Sequence, residues 1–191
     1  MVYLAILNLI AYFWNQFYAG RKFSGMKGKF LLLGSNLGDK LENISQAKML
    51  IGQGSGRIIT ASSLYKTSSW GAAGQPHYYN QAVIIETGLS PKKLLASLLE
   101  IEISMGRTRK KKWDNRIIDI DILFYDDLVL NDESLILPHP EIQNRRFALV
   151  PLAEIAPDEI HPVTGFSVTE MLKRTKDRGT VIRLDPEIPG E

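Results

Sequence analysis

One short run, residues 116–125 (RIIDIDILFY), does most to limit what this chain can fold into. Its apolar residues are β-branched, aromatic or leucine, which predicts a strand. Side chains two positions apart on a strand lie on the same face, so Asp119 and Asp121 project together from an otherwise apolar sheet. Left alone, the two carboxylates would repel each other and lose hydration. A hard cation such as Mg²⁺ removes both costs, so the run indicates a metal site.

A cationic segment leads into this strand. Residues 107–116 (RTRKKKWDNR) carry six positive charges beside the predicted metal pair, which indicates a polyphosphate held as its Mg²⁺ complex. Trp113 could cover a flat ligand next to these charges. Two alternatives stay open. A charge run is commonly a solvated turn, and one aspartate could face solvent or pair with Arg116.

The composition favours one globular domain. The chain has 191 residues, 45% of them hydrophobic and 23% charged, which suits one core and is too short for two ordinary domains. The net charge of +2, with its positive charge concentrated at residues 107–116, argues against binding nucleic acid along a broad face. The chain lacks cysteine, which excludes disulfides and thiolate sites and fits the reducing cytoplasm. His77, His139 and His161 are too scattered to indicate a zinc cluster.

The start of the chain differs from the rest. Residues 1–20 contain no charged side chain and are rich in aliphatic and aromatic residues. A signal anchor is one interpretation, but asparagine and glutamine interrupt the apolar run, and the basic start and cleavage site of a signal peptide are missing. We therefore expect residues 1–25 to be an extension outside the fold, with Met26 as the working start. Residues 26–178 should form a single domain and residues 179–191 a loose tail.

The order of the predicted elements indicates an α+β fold. Strands are predicted at residues 30–33, 57–67, 80–87, 116–125 and 128–130, and helices at 41–51, 91–105, 144–153 and 168–173. Asp39 and Ser90, the latter followed by Pro91, are placed to cap the first two helices. Two consecutive strand-helix-strand units predict a ferredoxin-like βαββαβ sandwich, with a mostly antiparallel sheet and helices packed on it.

Three other segments could contribute to a site. Residues 34–38 (GSNLG) are similar to a phosphate-binding loop at a helix start, although a tight turn explains them equally well. Asn80, which follows two tyrosines, could donate to and accept from the edge of a heterocycle, although such clusters are more often packing. His139 is held between two prolines, where a structural histidine is the commoner outcome.

In their order along the chain, these segments resemble one enzyme family. The motifs are Gly34–Gly38, Tyr65–Thr67, Gln75–Asn80, Ile101–Glu102, Gly106–Arg107, Arg116-x-x-Asp119-x-Asp121-Ile122, Leu137–Pro140, Arg145-x-Phe147 and Pro151–Pro157. Over about residues 29–160 they resemble the 6-hydroxymethyl-7,8-dihydropterin pyrophosphokinases of folate biosynthesis. The resemblance implies transfer of pyrophosphate from MgATP to the hydroxymethyl group of the pterin, with release of AMP. It implies two Mg²⁺ ions, ATP and a reduced pterin as ligands, and no nucleic acid. We also expect a monofunctional monomer without an obligatory protein partner.

The resemblance also implies a role for each matching residue. Asp119 and Asp121 would bridge the two Mg²⁺ ions. Arg107 and Arg116, the other two catalytic residues, would lie on a mobile loop that closes over the phosphates. The pterin would contact Thr67, Tyr78, Asn80, Trp113 and Phe147, with Tyr78 and Phe147 stacking on its faces. The nucleotide would contact Glu102, Arg109, Ile122, His139 and Arg145. Asp121 could also assist as a base, although a metal-bound carboxylate is a poor base at neutral pH.

The chain departs from the family pattern at three places. Residues 113–116 read WDNR where the family commonly has WGPR, and Ser68 and Ser69 replace prolines. His77 replaces an acidic residue. Because Gly and Pro restrict the backbone differently from Asp and Asn, we expect altered loop behaviour and pterin entry, with the metal pair unaffected.

Two other functions use the same features. A Mg²⁺-dependent nucleotidyl transferase or nuclease would also employ a D-x-D pair, but the near-neutral net charge disfavours nucleic acid. A non-catalytic pterin- or nucleotide-binding regulator is supported only by the loop substitutions. AMP released from ATP only in the presence of the hydroxymethylpterin would select the kinase.

Overall fold

The computed structural model describes residues 28–69, 76–106 and 115–184. In chain order the elements are β1 (Lys29–Ser35), α1 (Lys40–Gly54), β2 (Arg57–Ala61), β3 (Tyr65–Thr67), β4 (Tyr78–Glu86), α2 (Pro91–Ser104), β5 (Asp119–Tyr125), β6 (Leu130–Asn131), β7 (Ile136–Leu137), a 3₁₀ helix (Ile142–Asn144), α3 (Arg146–Ile155), α4 (Val168–Arg174) and β8 (Val181–Arg183). Among these helices none has the length and apolar character needed to span a bilayer. The prediction for residues 1–25 lies outside the described part of the chain.

The main sheet has the order β5-β1-β4-β3-β8, and β2 also pairs with β4. Every pairing between these strands is antiparallel. The strands β5, β1, β4 and β2, with α1 after β1 and α2 after β4, form the ferredoxin-like arrangement. The predicted α+β fold is therefore confirmed. The short strands β6 and β7 form a separate hairpin.

Two hydrophobic cores lie on opposite faces of this sheet. On one face α1 and α2 pack against Leu31, Leu33, Val83, Ile85, Ile120 and Ile122. On the other face α3 and α4 pack against Phe30, Leu32, Ala82, Ile84, Leu123 and Phe124. The central strands therefore bury both faces, which explains their nearly continuous apolar sequences.

The first helix forms where the sequence predicted it. Asp39 has an extended backbone, and its side chain accepts a hydrogen bond of 3.0 Å from the Glu42 amide, as an N-cap does. Ile44, Ala47 and Ile51 lie on the buried face at helical spacing. The helix continues to Gly54, three residues beyond the predicted end at Ile51, and Ser55 forms the C-cap.

The single strand predicted at residues 57–67 is wrong, because the structure divides it into β2 and β3. At the break, Ser62 N donates to Ala82 O over 2.9 Å, and its hydroxyl accepts from Ala82 N over 3.1 Å. The Gln81 side-chain Nε2 donates to Ser62 O over 2.6 Å. The two side-chain bonds take the place of regular ladder bonds here, and β3 departs from the direction of β2.

The loose tail predicted from residue 179 is also wrong as far as residue 184. There β8 pairs with β3 and extends the sheet, although its three residues were too few to show a strand pattern. Asp177, just before it, accepts from the amides of Arg146 at the start of α3 (2.9 Å) and of Gly179 (2.8 Å). The Ser68 hydroxyl accepts from Thr180 N over 3.1 Å. The C-terminal segment is thus attached to both β3 and α3.

Glu154 links α3 to β3 and to the segment just before it. Its carboxylate accepts from the Tyr65 hydroxyl over 2.8 Å, and from the Ser63 amide and hydroxyl over 2.9 Å and 2.8 Å. Burial, followed by the hydrogen bond and charge of Glu154, raises the pKa of Tyr65 to about 12. Tyr65 therefore stays protonated and keeps β3 attached to α3.

Candidate active site

The two aspartates of β5 lie on the face of the sheet that is covered by α3. Asp121 pairs with Leu32 of β1, and Asp119 pairs with Gly34. Ile120, between them, faces the opposite core with α1 and α2. The alternation read from the sequence thus holds, and both carboxylates project from one side of an edge strand.

Two arginines neutralise part of this negative charge. The Arg116 guanidinium forms an ion pair with Asp119 three residues along the chain. Arg145 Nη1 lies 3.5 Å from Asp121 Oδ2. Even so, desolvation and then the charge of Asp119 raise the pKa of Asp121 to about 7, with Arg145 acting in the opposite direction. Burial thus disfavours the charged form of Asp121, and a bound cation would favour that form.

His139 lies beside Arg145 at the same edge. Its Nε2 is 3.2 Å from Arg145 Nη1, and its Nδ1 accepts from the Glu141 amide over 3.2 Å. Burial, followed by the charge of Arg145, lowers the pKa of His139 to about 4. A neutral imidazole can accept from one of these two donors, whereas an imidazolium could accept from neither, so the neutral ring is the form that fits here.

Two residues predicted to contact the nucleotide have buried side chains. The Glu102 carboxylate of α2 accepts from Ile120 N over 2.7 Å, so it satisfies a backbone amide on the outer edge of β5. The Ile122 side chain lies in the core with α1 and α2, so it could contact a ligand only through its backbone. His139 and Arg145 therefore lie beside the aspartates. Glu102 lies at the outer edge of β5, where its charge also raises the pKa of Asp121, and the Ile122 side chain lies on the opposite face.

A polar pair lies on the same face as the aspartates, two strands away. Asn80 Nδ2 donates to Thr67 Oγ1 over 2.8 Å, and both side chains are buried. Gly34 stands between Asp119 and Asn80 in the register of β5, β1 and β4. A Cβ at Gly34 would lie 2.9 Å from Asn80 Oδ1, so glycine leaves room for this carboxamide. The sequence predicted a turn at Gly34 and did not indicate this role.

The two residues predicted to stack on a flat ligand, Tyr78 and Phe147, lie on β4 and α3. Tyr78, half-buried on β4, has a pKa raised by burial, and the charges of Arg116 and Asp119 also act on it. Phe147 of α3 is half-buried, with the Arg145 guanidinium carbon 5.8 Å from its ring centroid. A cavity of about 270 Å³ adjoins Phe147 and is lined by Ser68, Ser69, Asp177, Gly179, Thr180 and Val181. Tyr78 therefore lies near Arg116 and Asp119, and Phe147 lies near Arg145 and beside the cavity.

Asn36 is a second residue whose contribution the sequence did not predict. The GSNLG segment is not a loop throughout, because Gly34 and Ser35 belong to β1 and only Asn36 to Gly38 turn. The Asn36 side chain accepts from Arg116 N over 2.6 Å and donates to Asn115 Oδ1 over 2.9 Å. The sequence signal for this role is an asparagine directly after Gly34 and Ser35, at the end of a buried strand.

Three predicted site residues, Arg107, Arg109 and Trp113, lie outside the described residues. Within residues 28–69, 76–106 and 115–184, no group of three or more His, Cys, Asp or Glu side chains is placed to hold a metal ion. A cation at Asp119 and Asp121 would therefore need further oxygen ligands from water or from substrate.

Comparison with known proteins gives consistent matches. The family model described as 7,8-dihydro-6-hydroxymethylpterin-pyrophosphokinase (HPPK) matches residues 30–157. A 2-amino-4-hydroxy-6-hydroxymethyldihydropteridine pyrophosphokinase of Methylorubrum extorquens is 41% identical over 155 residues, covering 81% of this chain and 97% of the relative. The protein of the same name from Haemophilus influenzae is 40% identical over 158 residues, covering 82% and 98%.

A solved structure shows the same fold. The Plasmodium falciparum HPPK-DHPS wild type with STZ-DHP superposes with a TM-score of 0.62 at 17% identity, over 78% of this chain. The chain spans 43% of the length of that solved protein.

Proposed function

The chain belongs to the 7,8-dihydro-6-hydroxymethylpterin-pyrophosphokinase family, and we propose that Asp119 and Asp121 support its reaction by holding two Mg²⁺ ions against the phosphates of ATP. The chain transfers pyrophosphate from ATP to the hydroxymethyl group of 6-hydroxymethyl-7,8-dihydropterin in folate biosynthesis. The pterin hydroxyl oxygen bonds to the β-phosphorus of ATP. The bond from that phosphorus to the α,β-bridging oxygen breaks, AMP leaves, and the hydroxyl proton is released.

The donor set fits Mg²⁺. Two carboxylates on one face of β5 supply hard oxygen ligands. Burial, followed by the charge of Asp119, raises the pKa of Asp121, and a bound cation would offset both effects. Magnesium is commonly bound by one or two carboxylates together with substrate phosphates and water. When bound, the ions would offset phosphate charge and lower the pKa of the attacking hydroxyl. We assign Asp121 mainly to metal binding and not to the role of a base.

The arginines at this edge would bind phosphate oxygens. Arg116 and Arg145 already lie against the two aspartates, so their charge is held where the phosphates would sit. A planar guanidinium can bind two phosphate oxygens at once. His139, neutral beside Arg145, would act as a polar contact to the nucleotide and not as a proton donor. Phosphoryl transfer depends on positioning and charge stabilisation, which this set supplies.

The pterin would occupy the neighbouring slot. The Asn80 carboxamide, fixed by Thr67, offers a donor and an acceptor to the edge of the heterocycle. Tyr78 and Phe147 would stack on its faces. The supporting observation is that Asp119 and Asn80 face the same side of the sheet across Gly34, where the reacting hydroxyl would meet the phosphates.

A direct test is AMP release from MgATP with and without the hydroxymethylpterin. Asp119→Asn and Asp121→Asn should each lower turnover about a thousandfold, since metal ions contribute several kcal/mol of charge stabilisation. Asp126→Asn is the matched control, because Asp126 follows the same strand but pairs with Lys29 away from the site. Near-normal turnover in both of the first two variants would refute the metal assignment.

The oligomeric state and the extent of the domain can also be proposed. We expect the enzyme to be a monomer, and its single domain to include β8 and so to extend from residue 26 to at least residue 184. Sedimentation of the full chain tests the first expectation. A dimer at micromolar concentration would contradict it.

A further inference from the structure

Asn36 joins the end of β1 to the residues that precede β5. Its backbone amide donates to Arg116 O over 3.1 Å, and its Oδ1 accepts from Arg116 N over 2.6 Å. Its Nδ2 donates to Asn115 Oδ1 over 2.9 Å. One residue thus fixes both backbone polar groups of Arg116 and the side chain before it.

The environment makes these bonds important. Asn36 is only 2% exposed, so its carboxamide has little access to water. A buried amide that loses its partners pays most of its desolvation cost, which favours the paired geometry. Beyond the last regular ladder pair, Gly34 with Asp119, the contacts of Asn36 continue the attachment of this segment to β1.

The two hydrogen bonds between Asn36 and the Arg116 backbone fix the position of the Arg116 Cα, from which the side chain extends. From this fixed backbone the guanidinium reaches Asp119, three residues along the chain, and forms an ion pair with it. We propose that Asn36 is a positioning residue that holds the Arg116 guanidinium beside Asp119. The Asn115 carboxamide supports this role by accepting the hydrogen bond from Asn36 Nδ2. The inference rests on the proposed function, because it requires Arg116 to act on the phosphates.

Four variants separate this role from simple support of the fold. Asn36→Ala removes both side-chain bonds, and Asn115→Leu removes one of them at similar volume. Asn115→Asp keeps the accepting oxygen and is the conservative rescue. Asn43→Ala is the matched control. Asn43 donates to Ser35 Oγ over 3.1 Å and to Leu37 O over 2.8 Å, so it holds the same turn without contacting Arg116.

The readouts are kcat, both KM values and thermal unfolding. Asn36→Ala should lower kcat about tenfold and Asn115→Leu about threefold, as expected for losing two hydrogen bonds or one. Both KM values should change less than about twofold, because oriented positioning acts mainly in the transition state. Asn115→Asp should recover most of the loss. The Asn36→Ala/Asn115→Leu double variant should match Asn36→Ala alone, since the shared bond is already absent.

Each outcome decides the matter. Asn43→Ala should lower the unfolding temperature and leave kcat unchanged. An equal fall of kcat in Asn43→Ala and Asn36→Ala, or additive losses in the double variant, would overturn the positioning role and leave the proposed function intact. If Asn36→Ala fails to fold, the comparison of Asn115→Leu with Asn115→Asp still decides. No AMP from the wild-type chain in the presence of the pterin would remove both proposals.

Discussion

Acidification should destabilise this protein partly through His161. The imidazole is 5% exposed and lies edge-on to Phe124, with ring centroids 5.7 Å apart. Its Nδ1 accepts from the amides of Val163 and Thr164 over 3.2 Å and 3.3 Å, which requires that nitrogen to be unprotonated. Burial lowers the pKa of His161 from 6.5 to about 4.

The sign follows from the proton balance. Above about pH 6.5 the ring is neutral in both the folded and the unfolded states, so it causes no pH dependence. Between that value and a pH of about 4, the unfolded chain binds a proton that the folded chain does not, so stability is lost as the pH falls. With these two pKa values, the loss between about pH 8 and about pH 4.5 amounts to about 2.5 kcal/mol.

Urea unfolding at both pH values measures this loss. His161→Asn removes the titrating ring, and its side-chain oxygen can still accept from Val163 and Thr164. The fall in unfolding free energy between the two pH values should be smaller in this variant than in the wild type by about 2.5 kcal/mol. Other groups titrate in both proteins, including His139, and cancel in the comparison. His77→Asn, at an exposed histidine, is the control. Identical falls in wild type and His161→Asn would refute the reasoning.

Two further predictions test the pterin slot and the link between β3 and α3. Gly34→Ala should raise the KM for the pterin about tenfold, with the KM for ATP little changed. The new Cβ would lie 2.9 Å from Asn80 Oδ1 and displace the carboxamide; an unchanged pterin KM would contradict this. Glu154→Gln should lower the unfolding free energy by about 2 kcal/mol, because it weakens charge-assisted bonds to Ser63 and Tyr65. Chemical denaturation measures it, and a change below about 0.5 kcal/mol would show that these bonds are replaced by water.

The elements that the sequence predicted well are those whose signals are local. The Asp39 cap, the helical spacing on α1 and the alternation on β5 are each determined by neighbouring residues. Helix ends were less accurate. The helix predicted at residues 144–153 forms at Arg146–Ile155, because a 3₁₀ turn precedes it. The strand predicted at residues 128–130 begins at Leu130.

What the sequence did not predict depends on contacts between distant residues. The break between β2 and β3 results from bonds of Ser62 to β4, and β8 exists because β3 offers it a free edge. In the site, Gly34 leaves room for Asn80, and Asn36 binds a segment 80 residues away. A single sequence shows which side chains are present and their spacing, but not which partner they meet.

The alternation along β5 ties catalytic competence to correct folding. Its isoleucines fill the core with α1 and α2, and its aspartates face the substrate side. Sliding this strand by one residue against β1 would exchange the two sets. Two carboxylates would then be buried in a hydrocarbon environment while two isoleucines met water, at a large cost in free energy. The folding equilibrium therefore disfavours molecules whose two aspartates face the wrong side of the sheet, whether or not substrate is present.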